Sequence, residues 1–223
     1  MANENDSFIR EVNEQIRSEQ LSNFWGRYGV VVIGAAILIV LSAAGAGIYE
    51  YWNNSRASAS GDQFASALKL ASEGKNDEAL KALSDLETAG HGSYPVLAKF
   101  RSATLVAQKG DAAAAIAAFT AIGNDNSAPQ VFRDTAKVRA AWLLVDNGTY
   151  EQVSAQAEVL TGEGQAMRNS AREALGLSAY KAGDFVKAKQ WFEQITADVQ
   201  APRNVTSRAQ IMLDNIAASG KAA

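Results

Sequence analysis

Between Arg27 and Glu50 the chain carries no charge, and residues 28–49 read YGVVVIGAAILIVLSAAGAGIY. About 20 apolar residues in a helix cover roughly 30 Å, the thickness of a bilayer's hydrocarbon, and a small soluble core has little room for a charge-free helix of that length. Aromatic residues flank the run, with Phe24, Trp25 and Tyr28 before it and Tyr49, Tyr51 and Trp52 after it, as the two headgroup layers favour. The pattern predicts a transmembrane helix over 28–49. Arg10, Arg17 and Arg27 precede it, whereas only Arg56 follows closely and Lys69 lies at the margin. Because orientation follows Lys and Arg rather than net charge, the five acidic residues among positions 1–27 do not oppose a cytoplasmic N-terminus and an exported C-terminal part.

A cleaved signal peptide is the alternative, with Ala44-Gly45-Ala46 as an A-x-A site. The net-acidic leader 1–27 and the aromatic residues beyond that site favour a retained anchor. In the leader, Phe8, Ile9, Val12 and Ile16 share a helical face that excludes Glu11, Glu14 and Arg17. A short amphipathic helix is expected there, with Asp6 or Ser7 as N-cap, lying on the inner leaflet, docking on a partner or simply extending the membrane helix. Ala43 and Gly47 form a small-xxx-small pair within the span, which leaves self-association through the membrane open.

The rest of the chain is poor in turn formers and reactive groups. The 223 residues include 43 alanines, 3 prolines, one histidine and no cysteine, a composition that favours helix. The same composition excludes disulfides, thiolate nucleophiles and Cys-based or multi-histidine metal sites. Residues 53–223 hold 18 Lys+Arg against 18 Asp+Glu, so no basic field points to nucleic acid.

Self-similarity carries more information. EGKNDEAL, QKGDAAAAIAAF, DNGTYEQV and KAGDFVKAKQWF each set a glycine between two Ala-rich stretches, and these turn glycines, Gly74, Gly110, Gly148 and Gly183, are 36, 38 and 35 residues apart. That period predicts helix–turn–helix units of about 34 residues. Five residues after each glycine come Ala79, Ala115, Val153 and Ala188, and seven before come Ala67, Ala103, Ala141 and Gly176. Small residues there let antiparallel helices approach closely. Leu70, Val106, Leu144 and Ala179 on the first helices, with Leu86, Ile122, Leu160 and Ile195 on the second, fill the space around them. The third unit, with Val153 at a small position, fits least well, and its register stays open. Residues 202–218 place Val205, Ala209, Met212, Leu213 and Ile216 on one face, as a capping helix requires.

Leu175-Gly176, Gly183, Ala188 and Phe192 resemble the tetratricopeptide repeat motif, which the other three units match in part. Together with the FIREVNEQIR…FWGRYG leader and the single span, the array is similar to the bacterial family of tetratricopeptide-like membrane proteins that includes the ancillary subunit of the SecYEG translocon. The expected fold is all-α: a cytoplasmic leader (1–27), a transmembrane helix (28–49), a linker (50–60) and an α-solenoid of four degenerate helix pairs plus a C-terminal capping helix (61–223).

The resemblance implies that the first helices line a concave protein-binding groove, here carrying Phe64, Leu68, Leu97, Phe100, Thr104, Val138, Trp142, Leu177 and Tyr180. Trp142 and Tyr180 are the sharper candidates, because each ring buries a face and keeps a polar edge wet. Phe64 and Phe100 are equally candidates for the core. No catalytic site emerges: His91 lies in the loop GHGSYP, no phosphate loop is present, and Asn124-Asp125-Asn126 lacks the glycine and closing Glu of a calcium loop. The chain is therefore expected to be a non-enzymatic scaffold without cofactors, in a bacterial inner membrane with its repeats in the periplasm. The resemblance points to the Sec translocon, periplasmic chaperones or exported chains as partners, and a scaffold organising the envelope or cell division is the alternative.

Overall fold

A computed structural model describes residues 3–220, which form helices and turns without a strand. The chain divides into two compact units, Met1–Arg56 and Ala57–Ala223. Helix α1, Asn3–Ser72, contributes to both.

In the first unit nothing interrupts α1. No proline stands in this stretch to stop it, and the helix is already formed at Asn3. Asp6 and Ser7 therefore lie inside the helix, and neither is the N-cap that the sequence suggested. Of the side chains expected to form the amphipathic face of the leader, Val12 is exposed, while those of Phe8, Ile9 and Ile16 lie outside the described residues. From Ser22 onward the helix is long and apolar enough to cross a membrane, and its most apolar stretch buries nothing within the protein. Intrahelical hydrogen bonds carry the helix through Gly26, Gly29, Gly34, Gly45 and Gly47. The segment 50–60, expected as a linker, is helical, and the division between the units falls within it. There the Arg56 guanidinium lies 3.8 Å from the centre of the Trp52 ring, a cation–π contact.

The second unit is a succession of helix pairs. Residues 57–72 of α1 are followed by α2 (Asn76–Ala89), α3 (Tyr94–Gln108), α4 (Ala112–Asn124), α5 (Gln130–Asn147), α6 (Tyr150–Ala157), α7 (Arg168–Lys181), α8 (Phe185–Thr196) and α9 (Arg203–Ser219). Alanine explains how the pairs close: Ala67, Ala79, Ala98, Ala103, Ala115, Ala136, Ala140, Ala141, Ala171, Ala174, Ala179 and Ala188 are all buried. Larger side chains fill the space between those contacts. Leu83, Leu86 and Leu105 pack with Ala67 and Ala98 at one end, and Phe192, Ile195, Val205 and Ile216 pack with Ala179 and Ala188 at the other, where α9 covers α8.

Three of the four turns share one design. After α1, α3 and α7 the chain makes a paired closure in which Lys75, Asp111 and Asp184 donate their N–H to the carbonyls of Leu70, Val106 and Ala179, at 3.0, 3.2 and 3.0 Å. That geometry needs a left-handed residue; Gly74, Gly110 and Gly183 supply it at φ of 78, 92 and 81°. The aspartates that follow then start the next helix, since Asp111 and Asp184 accept from the N–H of Ala114 and Lys187, each at 3.0 Å.

The third turn differs. Gly148 is extended, with φ of −137°, and Thr149 and Gln152 form a reciprocal capping box at the start of α6. This second helix is only 8 residues long and ends in a 3-10 turn, Glu158–Leu160. Leu160, expected on a second α-helix, is buried from that turn instead.

Candidate functional site

The nine residues expected to line a groove are distributed over α1, α3, α5 and α7, and the structure separates them by role. Phe64 is half-buried, its ring 6.0 Å from that of Tyr94. Leu68 is exposed, and Leu97 is half-buried. Phe100 packs its ring 5.6 Å from Phe119 and 6.0 Å from Phe132, joining α3 to α4 and α5. Thr104 spends its hydroxyl on the Phe100 carbonyl at 2.9 Å, and Val138 is buried in the core beside Leu144 and Leu175. Tyr180 meets Phe185 edge to face at 5.1 Å. These side chains mostly hold helices together.

Trp142 and Leu177 are brought together. They line a pocket of about 210 Å³ whose remaining wall is Glu173 of α7 and Arg208, Ile211 and Met212 of α9. Helical spacing explains the convergence: Glu173 and Leu177 are four residues apart on α7, and Arg208, Ile211 and Met212 follow at i, i+3 and i+4 on α9. Ile211 is exposed at 58%, a large aliphatic side chain left bare at the rim. The polar edge of the pocket is a single ion pair. Arg208 donates from Nε to Glu173 Oε1 at 2.5 Å and from Nη2 to Oε2 at 2.7 Å, a two-pronged contact. Glu173 keeps 3% of its side-chain exposure and Arg208 51%. The Glu173 carboxylate raises the Arg208 guanidinium above its ordinary range, through that hydrogen bond first.

Sequence reasoning missed Glu173, Arg208 and Ile211 as site residues and placed Met212 in the core face of the cap. A charged residue on a helix reads as a solvated one. The signal that was present is the i, i+4 partnership of Glu173 with Leu177, which puts a carboxylate on the same stripe as an expected groove residue.

A larger cavity, about 440 Å³, lies among Arg168, Arg172, Asp198 and the connections around them. Asp198 and the two arginines that line it are already engaged. Asp198 accepts from Arg168 at 2.6 and 3.0 Å, from Asn169 at 2.9 Å and from the Gln200 N–H at 2.9 Å. These donors, Arg168 foremost, hold its carboxyl far below the usual range. Arg172 donates to the Thr161 carbonyl at 3.1 and 2.8 Å and to the Gln194 carbonyl at 3.2 Å. The network clamps the α6–α7 and α8–α9 connections to α7.

The remaining sequence candidates are local structure. His91 is half-buried in the α2–α3 loop, where its N–H donates to Ser60 Oγ at 3.0 Å. Asp125 folds back on Ser127, accepting its N–H at 3.0 Å, a turn at the end of α4. Among the described residues no group of three His, Asp or Glu is placed to hold a metal ion.

A family model described as a tetratricopeptide repeat-like domain matches residues 22–218. No curated protein and no solved structure matches the chain.

Proposed function

Because the chain belongs to the tetratricopeptide repeat-like family, we propose that it is a membrane-anchored scaffold that binds other proteins and carries no catalysis of its own. Helical repeats of this kind present extended surfaces to protein partners. The observation that carries the reading is the pocket in which Trp142 and Leu177 meet Ile211 and Met212, an apolar recess with one charged edge, the form in which binding sites commonly combine affinity with orientation.

The finer reading is a single-pass protein of a bacterial inner membrane, N-terminus in the cytoplasm and repeats in the periplasm, working beside the Sec translocon as an ancillary subunit or a chaperone-like factor. The bias of arginines toward residues 1–27 supports the orientation, and the leader and span support the translocon through resemblance. A photocrosslinking residue at the exposed position Ile211, in intact membranes, is expected to capture translocon components, periplasmic chaperones or emerging exported chains. Recovery of none of these, with septal localisation instead, would replace the translocon reading by that of an envelope or cell-division organiser.

A further inference from the structure

Helix α1 leaves its charge-free run at Tyr49, and the side chains that follow suit a charged layer. Headgroups add about 5 to 8 Å to each side of a bilayer's hydrocarbon. At about 1.5 Å per residue along a helix near the bilayer normal, the Trp52 backbone lies roughly 5 Å beyond Tyr49 and that of Arg56 roughly 10 Å beyond it, past the headgroups. The Arg56 guanidinium does not stay there. It lies 3.8 Å from the centre of the Trp52 ring, because side chains on a helix lean toward its N-terminus, here back toward the apolar run. Arg56 thus delivers its charge at the level of Trp52, within the headgroup layer.

No acid of the protein meets that charge. Arg56 is exposed, and among the described residues no carboxylate pairs with it. Glu50, the acid nearest Trp52 in sequence, stands about 200° round the helix from it. The stack also fixes how the charge is presented. A guanidinium carries its five N–H groups in its own plane, so with one face on the indole its edges stay open. An edge with two parallel N–H groups matches two oxygens of a phosphate. A zwitterionic headgroup brings its own cation to those oxygens, and Arg56 has no carboxylate beside it to receive that cation. An anionic headgroup has no such competitor.

We propose that Arg56, held on Trp52, is a binding site for the headgroup of an anionic phospholipid: the guanidinium edge donates two N–H hydrogen bonds to the phosphate oxygens. Tyr49 and Trp52, exposed at 68% and 50%, share a helical face with Arg56 at i, i+3 and i+7 and border the glycerol and upper acyl carbons of the same lipid. The inference rests on the reading of α1 as a membrane anchor, and on neither its orientation nor the partner of the repeats.

The test uses the full chain in phosphatidylcholine vesicles carrying a trace of one photoreactive lipid, with the labelled residues mapped by mass spectrometry. Three probes serve: phosphatidylglycerol and phosphatidylcholine, each with a diazirine on an acyl carbon next to the glycerol, and phosphatidylcholine with the diazirine at the acyl terminus. The acyl-terminal probe reports insertion by labelling residues 28–49. The phosphatidylglycerol probe is expected to label residues 49–56 about fivefold more than its phosphatidylcholine counterpart, the preference an exposed ion pair gives. Arg56→Gln should bring the two to parity, and Trp52→Leu should lower the preference by releasing the guanidinium. Arg27→Gln, at the other end of the run and with no ring stacked on it among the described residues, should leave it in place.

Parity of the two headgroup probes in the parent, or a preference that survives Arg56→Gln, overturns the site. A preference unchanged in Trp52→Leu overturns the part given to the stack. Loss of the preference when inorganic phosphate replaces chloride at equal ionic strength would make this a site for soluble anions and overturn the lipid assignment. The parent comparison depends on no variant. Labelling of 28–49 by the acyl-terminal probe with parity of the headgroup probes sinks the site and leaves the anchor standing, whereas absence of that labelling removes the anchor and the site with it.

Discussion

At Gly176 the close approach of two helices comes down to one missing methyl. A Cβ there would stand 2.8 Å from two ring carbons of Phe192, and Phe192 is fully buried, so the ring has nowhere to turn. Gly176→Ala is expected to destabilise the repeat unit by about 1 to 3 kcal/mol through overpacking, read from urea unfolding of the solubilised chain by circular dichroism. Pairing it with Phe192→Leu should recover part of that loss, since contacting sites couple. This contact was legible beforehand, because a Leu-Gly pair seven residues before a turn glycine and a phenylalanine nine after it is a spaced signature. The Glu173–Arg208 pair was not. Burial of Glu173 depends on α9 lying across α7, two elements 35 residues apart in sequence at this contact, and no local pattern encodes that crossing. Arg208→Ala should cost about 2 kcal/mol, less than the breaking of a fully buried pair, because water reaches the half-exposed arginine position and solvates part of Glu173. Glu173→Gln in the same background should restore most of it, with the two unfolding midpoints as the measurement.

The elements show how one sequence signal covers two physical causes. Four glycines at a regular period predicted four equivalent turns, and three of them are left-handed closures while Gly148 is extended. At Gly110 an added Cβ meets nothing within 4 Å, so the constraint is backbone conformation alone. At Gly148 the same atom would lie 2.7 Å from Gln152 Oε1 and 2.8 Å from Leu144 Cδ2, so the constraint is space. Sequence spacing cannot separate these cases, since both demand the same residue. Substitution does. Asparagine tolerates the left-handed region better than alanine, so Gly110→Asn should be the milder change at that turn, whereas at Gly148 the larger Asn should be worse than Ala. Thermal midpoints of the four variants, each compared with the parent, give the ranking; the same order at both turns would contradict the distinction. The short α6 follows from the same region: with no left-handed closure before it, the capping box of Thr149 and Gln152 starts the helix, and the 3-10 turn at Glu158–Leu160 ends it.

Across the repeat unit as a whole, most of the stacking is apolar and insensitive to pH, but the junction around Asp198 is not. It ties the α6–α7 connection, α7 and the α8–α9 connection into one network through Arg168, Asn169 and Arg172. Its carboxyl is depressed in the folded chain, chiefly by Arg168, and in the unfolded chain titrates near 3.9, as a free aspartate does. The sign follows from linkage: a group whose folded pKa lies below its unfolded one contributes stability above the unfolded value, and that contribution is lost as pH falls through the interval between them. Above about pH 5 the contribution is complete and constant. Asp198→Asn removes the charge that Arg168 and Arg172 share, so the variant should be less stable than the parent at neutral pH. The difference between them should shrink as pH falls below about 4, where the parent's own aspartate begins to protonate. Because the clamp joins the last two repeat pairs to the cap, the loss should appear first as faster amide exchange in α8 and α9, ahead of α2 and α3. Hydrogen exchange of parent and variant at neutral pH and near pH 3 measures both parts, and a difference that grows on acidification would show that Asp198 is held by the fold rather than holding it.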